Sequence, residues 1–283
     1  MKFLLGTLLL CTACAMAGSP PADVRLEPLT TASGSTDHPL GKLALSTAPE
    51  KWKHAQTPHF IFHYRRVTEA QRAAREIEFT LWYVAQSLGA APERYAKKSH
   101  VYVFQDAREW TQFRHDAGMP KWTASFASGD DLFLHIGGPG EEFDSRILAH
   151  ETVHAVIARL YPGKRWPLWL NEGFADHMAG VSMAARKRVW AKGLERELKN
   201  AKITLNELVG LTHYPAGTEE STAFYQSSEK LVRFLLTAYP KEHFPKFVET
   251  MLTDKPFREA VVEVYSEQAK DYAAFLKKYE QFK

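Results

Sequence analysis

The sequence predicts an α+β fold in which a small mixed sheet precedes a helical C-terminal lobe. Two observations support this prediction. Segments rich in aromatic and β-branched residues alternate with helical patterns in the first half, as at Phe60–Tyr64 and His100–Phe104. From residue 141 onwards the chain shows helical periodicity. With 283 residues, of which 45% are hydrophobic, the chain is long enough for one large or two-lobed domain.

The remaining elements are predicted from the same two patterns, taken in chain order. Further strands are predicted at 123–127 and 131–136, and helices at 69–88, 106–116, 181–199, 219–238, 241–253 and 256–281. Residues 204–211 are predicted to form a short connector. Gly137–Gly140 is predicted to be a turn rather than a phosphate-binding loop, because no Gly-Lys-Ser/Thr follows it.

The N-terminus has the pattern of a secretory signal peptide over Met1–Ala17, with a basic start, an apolar stretch and the cleavage signal Ala15-Met16-Ala17. The alternative is a bacterial lipoprotein signal that would attach a lipid to Cys14, although Cys11 occupies a position where such signals usually carry Leu. Both interpretations predict export, to the periplasm or the medium. Since both cysteines lie in this leader, the mature chain is expected to have no disulfide.

Composition excludes one class of partner. The net charge is +3, and no basic run or basic-aromatic interleaving predicts nucleic-acid binding. The basic face of the helix at 181–199 is most simply a solvated face, so membrane contact is expected only through a lipid on Cys14. The sequence does not determine the oligomeric state.

The strongest chemical signal is His150-Glu151-Thr152-Val153-His154. An apolar stripe at helical spacing predicts a helix here, on which His150 and His154 share one face, one turn apart. Two imidazoles placed in this way can bind one zinc ion. Glu151 would lie beside the metal, where it can act as general base on an attacking water.

A catalytic zinc site needs a third protein ligand and an open position. Glu172 fits this role, because Pro167 suits the start of a second helix and Trp169 and Phe174 supply apolar packing. Asp176 lies four residues later on the same face and could accept the outer ring N–H of a ligand histidine. The alternative, that these are ordinary surface or core histidines, does not explain the suitably spaced carboxylates.

His150-Glu151-xx-His154 followed by Asn171-Glu172-Gly-Phe-Ala-Asp176 resembles the gluzincin metallopeptidases, the peptidase MA-like group that includes thermolysin and the zinc aminopeptidases. Trp169–Ala175 is similar to the WLNEGFA segment of the aminopeptidases. The resemblance covers about residues 130–240 and implies a thermolysin-like zincin domain with one Zn²⁺ per chain. It implies His150, His154 and Glu172 as zinc ligands, and Glu151 as general base and later proton donor. It also implies that Asp176 and Asn171 support the ligands, with Asp176 as partner of His150.

The same resemblance suggests two further roles. Tyr225 begins a segment similar to the aminopeptidase segment whose tyrosine stabilises the oxyanion, and His213 and Tyr214 are the alternative donors. The strand before the motif helix lies at the sheet edge in gluzincins, so substrate could pair with it through residues Leu132, Phe133 and Leu134. The alternative for that segment is an ordinary buried strand.

The resulting domain assignment has three parts. Residues 1–17 are the leader, and 18–50 are predicted to be a flexible linker because they are rich in Pro, Ser, Thr, Gly and Ala, with a docked arm as the alternative. Residues 51–283 form the gluzincin-like domain. They divide into a sheet lobe at 51–140, the active-site helices at 141–180 and a helical lobe at 181–283.

The expected function is that of an exported zinc metallopeptidase acting on peptides or proteins. The aminopeptidase GxMEN segment, which recognises a free amino group, is absent, so endopeptidase-like activity is expected. Two alternatives remain open. One is a catalytically silent zincin-fold binding or scaffold protein of the cell envelope, and the other is a zinc hydrolase of cell-wall peptides.

Overall fold

The computed structural model describes residues 19–21, 23–30, 34–137, 144–187 and 198–282. The predicted leader with both cysteines, most of the predicted glycine turn and residues 188–197 of the predicted basic helix lie outside the described residues. Within these ranges, no helix is both long and apolar enough to cross a membrane.

One mixed sheet organises the N-terminal half. Its strands are β1 (Glu27–Leu29), β2 (Lys53–Gln56), β3 (Phe60–Tyr64), β4 (Ser99–Phe104), β5 (Ser125–Ser128) and β6 (Asp131–His135). Their spatial order is β1-β2-β3-β4-β6-β5. β4 runs parallel to both β3 and β6, and the remaining pairs are antiparallel. The predicted α+β fold with a mixed sheet is confirmed.

Helices cover both faces of this sheet and form the C-terminal half. They are α1 (Pro39–Ser46), α2 (Val67–Ser87), α3 (Ala107–Asp116), α4 (Ser145–Leu160), α5 (Leu168–Lys187), α6 (Leu205–Gly210), α7 (Thr218–Thr237), α8 (His243–Met251), α9 (Phe257–Tyr265) and α10 (Tyr272–Glu280). The predicted strands and the helices near 69–88, 106–116, 219–238 and 241–253 are confirmed to within a few residues.

The sheet has two apolar faces because side chains alternate along each strand. One face carries Phe60, Phe62, Val101 and Leu134 into the main core, against α2 and α4. The opposite face forms a second, aromatic cluster under α1 and α3, composed of Trp52, Tyr102, Phe104, Trp110, Phe113 and Phe133 together with Ala44.

The prediction of a flexible linker over 18–50 is wrong for much of that segment. β1 pairs with β2, and α1 buries Ala44 against the aromatic cluster. Gly41 lies so close to the Tyr102 hydroxyl that a Cβ at this position would overlap it. The alternative of a docked arm is therefore correct, because small residues let this polar segment approach the sheet closely.

The strand before the motif helix is not at the sheet edge. β6 pairs with β4 on one side and β5 on the other, so no free edge remains for a substrate. Leu132, Phe133 and Leu134 are buried core residues. Their predicted role in binding substrate by strand addition is wrong, because the short strand β5 takes the edge position.

The predicted helix at 256–281 is two helices. α9 ends at Tyr265, and α10 begins after Asp271, whose side chain accepts a hydrogen bond from the backbone N–H of Ala274 at 2.8 Å. This cap competes with a continuous helix. The connector at 204–211 similarly contains α6, which begins with a capping box between Thr204 and Glu207.

Candidate metal centre

The first two candidate ligands lie on α4, as predicted. Asp144 caps this helix by accepting hydrogen bonds from the backbone N–H groups of Arg146 and Ile147. The helix therefore begins at Ser145, later than the predicted start near 141, and residues 138–143 lie outside the described part of the chain. Its apolar face buries Val153, Val156 and Leu160, among others. His150 and His154 lie on the neighbouring face of this helix, where Glu172 on α5 approaches them.

The third candidate ligand, Glu172, comes from α5. Pro167 precedes the helix and its carbonyl accepts from the N–H of Asn171, as expected for a helix start. Trp169 and Phe174 are fully buried, which confirms the predicted packing of this helix. Packing of α5 on α4 places the Glu172 carboxylate opposite the two imidazoles.

The three ligand atoms form a nearly equilateral triangle. The Nε2 atoms of His150 and His154 lie 3.0 Å apart. Oε2 of Glu172 lies 3.4 Å from Nε2 of His150 and 3.5 Å from Nε2 of His154. Atoms bound tetrahedrally to zinc at about 2.0–2.1 Å would lie roughly 3.3 Å apart. The residues therefore fit a metal ion, and this group of three could hold one.

Asp176 lies against the first candidate ligand, His150. Its Oδ1 atom lies 3.1 Å from Nδ1 of His150, on the side of the ring away from the triangle. A proton on Nδ1 donated to this carboxylate leaves Nε2 with a free lone pair facing the centre. Asn171 makes a long contact, 3.4 Å, from Nδ2 to Oε1 of Glu172.

The electrostatics of the cluster favour a positive charge between its members. Burial opposes ionisation of His150, but hydrogen bonds with Asp176 and Glu172 overcome it and raise the pKa of His150 to about 10. Burial would also raise the pKa of Glu172, yet its contacts with His150 and His154 hold that pKa well below its usual value. The pocket thus stabilises a cation, whether a proton or a metal ion.

Glu151 lies beside the triangle without being part of it. Its Oε2 accepts a hydrogen bond of 3.1 Å from the backbone N–H of Ala127, on the edge strand β5. Burial raises the pKa of Glu151, an effect opposed by His154 and His150. A carboxylate with a raised pKa is a better proton acceptor, which suits a general base.

Two tyrosines reach the cluster from the C-terminal half. The hydroxyl of Tyr214 donates to Oε1 of Glu172 at 2.6 Å. Burial, followed by the charges of Glu172, Asp176 and Glu151, raises the pKa of Tyr225, so its hydroxyl keeps its proton at neutral pH. The ring of Tyr225 lies 6.4 Å from that of Tyr214. His213 is exposed and contacts Thr212 instead.

Gly173 allows helices α5 and α7 to pack closely beside Glu172. A Cβ at Gly173 would overlap the backbone carbonyl of Ser228 on α7. The absence of a side chain therefore lets α7 pack directly against α5 beside Glu172. Tyr225 lies on α7, one turn before Ser228, and is brought to the cluster by this close contact.

A cavity of about 80 Å³ opens between the sheet and the start of α4. It is lined by Ala124, Ser125, Leu134, His135, Ile136, Asp144, Ile147 and Leu148. Ile147 and Leu148 lie one turn before His150 and Glu151, but none of the candidate ligands lines this cavity.

Three contacts at the cluster were not predicted from the sequence. Ala127 acts through its backbone and has no side-chain signal. The hydrogen bond of Tyr214 with Glu172 depends on loop geometry. Arg146 donates to the backbone carbonyl of Asp176 at 3.1 Å and lies 3.8 Å from the buried carboxylate of Glu229. Its position four residues before His150, on the same helix face, was the available signal.

The chain was compared with models of protein families and with curated proteins. No family model matches the chain, and no curated protein matches it.

Proposed function

We propose that this protein is a zinc-dependent metallopeptidase that hydrolyses peptide bonds. The observation that carries the proposal is the triangle of His150 Nε2, His154 Nε2 and Glu172 Oε2, with the Glu151 carboxylate beside it. Two histidines and one glutamate are a ligand set of catalytic zinc sites, which leave one position open. A structural zinc site would use four protein ligands and would need no adjacent base.

The assignment to the gluzincins, with a thermolysin-like arrangement, is part of this proposal. It is supported by the order of the parts along the chain and by the contact of Asp176 with His150. His150, His154 and Glu172 would hold one zinc ion per chain. When bound, zinc would polarise the scissile carbonyl and make the attacking water more acidic.

The chain's own residues would move the proton. Glu151 accepts it from the attacking water and then donates it to the leaving amine. Its raised pKa suits both steps, because a weaker acid holds the proton until the amine takes it. Ala127 N–H orients the carboxylate for this transfer.

Tyr225 is the proposed donor to the oxyanion. Its hydroxyl makes no hydrogen bond with any residue in the described part of the chain, whereas that of Tyr214 is engaged with Glu172. A hydroxyl without a protein acceptor can be used by the charge that develops on the carbonyl oxygen.

Substrate backbone would pair with β5 rather than β6. β5 has only one neighbouring strand, and the N–H of Ala127 points away from that neighbour towards α4. In an antiparallel pair, the backbone N–H and C=O groups that face away from the neighbouring strand recur at every second residue. On β5, Ser125 therefore carries the next N–H and C=O groups that face outwards after those of Ala127. Such pairing tolerates many side chains and agrees with endopeptidase-like activity on peptides or proteins.

Export is proposed on the sequence of residues 1–17 alone, to the periplasm or the medium, with a lipid on Cys14 as the alternative. Intact-mass analysis of the protein from its native host distinguishes these forms. Loss of residues 1–17 indicates secretion, loss of residues 1–13 with added acyl mass indicates a lipoprotein, and an unprocessed chain contradicts export.

The function is tested by incubating the zinc-loaded chain with a mixed peptide library and identifying the products by mass spectrometry. The test compares wild type with Glu151→Gln, and uses Glu267→Gln, at an exposed position far along the chain, as matched control. We expect cuts by wild type and Glu267→Gln, and none by Glu151→Gln with zinc still bound. Equal cutting by Glu151→Gln would show that the base is wrongly assigned.

Peptides with a blocked N-terminus test the proposal that the activity is endopeptidase-like. They should be cut as readily as unblocked peptides, whereas cleavage of unblocked peptides alone would indicate an aminopeptidase. If the zinc-loaded wild type cuts no library peptide and no cell-wall peptide fragment, the proposal of a peptidase is wrong.

A further inference from the structure

The two oxygens of the Glu172 carboxylate have different neighbours. Oε2 faces Nε2 of His150 and Nε2 of His154, at 3.4 and 3.5 Å. Oε1 points the other way and accepts the hydroxyl hydrogen of Tyr214 at 2.6 Å. One oxygen thus belongs to the ligand triangle and the other to a side chain from the loop between α6 and α7.

The Tyr214 contact is short for a hydrogen bond. Hydrogen bonds from a hydroxyl to an ionised carboxylate are typically about 2.5–2.7 Å long and roughly twice as strong as neutral ones. Because Glu172 is buried, little water competes for Oε1. Asn171, the other protein donor near this oxygen, lies at 3.4 Å and contributes less.

The contact restricts how the carboxylate can turn. A glutamate can bind a metal through one oxygen or through both, and rotation about its terminal bond exchanges the two modes. Tyr214 holds Oε1 away from the triangle, so that Oε2 alone faces the centre. A metal ion held here would then take one oxygen from Glu172, which would leave a position for water and substrate.

The ring of Tyr214 is partly exposed. It packs against Phe224 and Tyr225, with centroids at 6.0 and 6.4 Å, while 54% of the residue is exposed. An exposed ring contributes little to the core, so replacement by Phe should remove the hydroxyl without unfolding the protein.

We propose that Tyr214 is the positioning residue for Glu172, which it holds in single-oxygen coordination and whose metal affinity it thereby raises. This role differs from oxyanion stabilisation, which is assigned to Tyr225. The inference rests on the proposed metal site and is independent of whether the protein cleaves peptides.

The test measures metal binding by the full chain, with Tyr214→Phe compared against Tyr225→Phe as matched control. Zinc affinity is measured by competition with a chromophoric chelator, and the coordination geometry by the visible absorption of the Co²⁺ form. Loss of a partner that orients a ligand costs roughly 10- to 100-fold in metal affinity. We expect a loss of that size for Tyr214→Phe, with a weaker Co²⁺ band from added coordination, and less than about 3-fold for Tyr225→Phe.

Three results would overturn the proposal. The first is unchanged zinc affinity and an unchanged Co²⁺ spectrum in Tyr214→Phe. The second is an equal loss in both variants, which would indicate a general effect of removing a hydroxyl near the site. The third is a wild-type chain that binds neither metal, which would also remove the proposed function. If wild type binds zinc but cuts no peptide, only the proposed function fails.

Discussion

The backbone N–H of Ala127 donates to Oε2 of Glu151 across 3.1 Å, and so joins the edge strand of the sheet to the motif helix. This contact places the proposed base beside the strand on which the proposed substrate would lie. If Glu151 is the base, this hydrogen bond from the edge strand would orient its carboxylate for proton transfer.

Ala127→Pro tests that role, because proline lacks the N–H group and an edge strand can accommodate it. The Ala127 N–H points away from β6, so the ladder should survive. A hydrogen bond to a charged group contributes about 1.5–3 kcal/mol, so we expect kcat/KM to fall by about 10-fold or more, with zinc still bound. Ala124→Pro, on the loop before β5, is the control; a fall of the same size in both variants would contradict a specific role.

Asp176→Asn tests the support of His150. The amide cannot match the carboxylate as acceptor for Nδ1–H, so we expect zinc affinity to fall roughly 10- to 100-fold. Chelator competition measures the change. Asp37→Asn, at an exposed position in the N-terminal arm, should leave the affinity unchanged. Wild-type affinity in Asp176→Asn would show that the 3.1 Å contact does not support the ligand.

Gly173→Ala tests the close packing of α5 on α7. The new Cβ would overlap the Ser228 carbonyl, and backbone cannot move aside as a flexible side chain can. Forced overpacking costs about 1–3 kcal/mol, which chemical denaturation can measure. The control is Gly210→Ala, since a Cβ there meets no atom within 4 Å. A Gly173→Ala protein as stable as wild type would mean that the helices separate without cost.

A row of histidines on the sheet predicts how stability depends on pH. Nδ1 of His54 lies 2.9 Å from Nδ1 of His63, whose Nε2 lies 2.9 Å from Nδ1 of His100. His63 is fully buried, and burial, followed by the charges of His100 and His54, lowers its pKa to about 2. Each of these two nitrogen–nitrogen contacts holds one proton between its two rings. The three neutral histidines can therefore bind one more proton, but a second added proton would break one of the two hydrogen bonds.

The direction in which stability changes with pH follows from the lowered pKa of His63. Below the unfolded value of about 6.5, the unfolded chain binds a proton at His63 that the folded chain does not. The contribution of neutral His63 to the free energy of unfolding is therefore complete above pH 6.5. It decreases by about 1.4 kcal/mol per pH unit as the pH falls towards about 2. Denaturation at pH 7.5 and 5.5 should show a smaller loss for His63→Phe than for wild type. His115→Asn, at an exposed site, should behave as wild type, and equal pH dependence in all three proteins would contradict the prediction.

The sequence was sufficient to predict features that depend on residues close together in the chain. The spacing of His150 and His154 places them on one helix face in any α-helix. The pattern of Trp169, Leu170 and Phe174 places Glu172 on a different face of its helix from these apolar side chains. Strands such as Phe60–Tyr64 were predictable because their residues suit a buried sheet. The contact between Asp176 and His150 followed from the motif once the two helices were assumed to pack.

Other features had weak local signals. Lys53–Gln56 has neither the composition nor the alternation of a strand, and it is ordered by pairing on both sides. The N-terminal arm is polar and aperiodic, and only Pro39 at a helix start marked α1. In the last helical segment, the cap at Asp271 was a readable signal, but the apolar periodicity on either side of it suggested one continuous helix.

By itself, the sequence determined the α+β class, most helices and strands, and the spacing of His150, Glu151 and His154, because these depend on residues within a few turns of one another. Only the tertiary structure decided that β5 rather than β6 is the edge strand, that Ala127 contacts Glu151, and that Tyr214 reaches Glu172. Strand order and loop placement arise from pairing and packing between distant segments. No local pattern of residues carries that information.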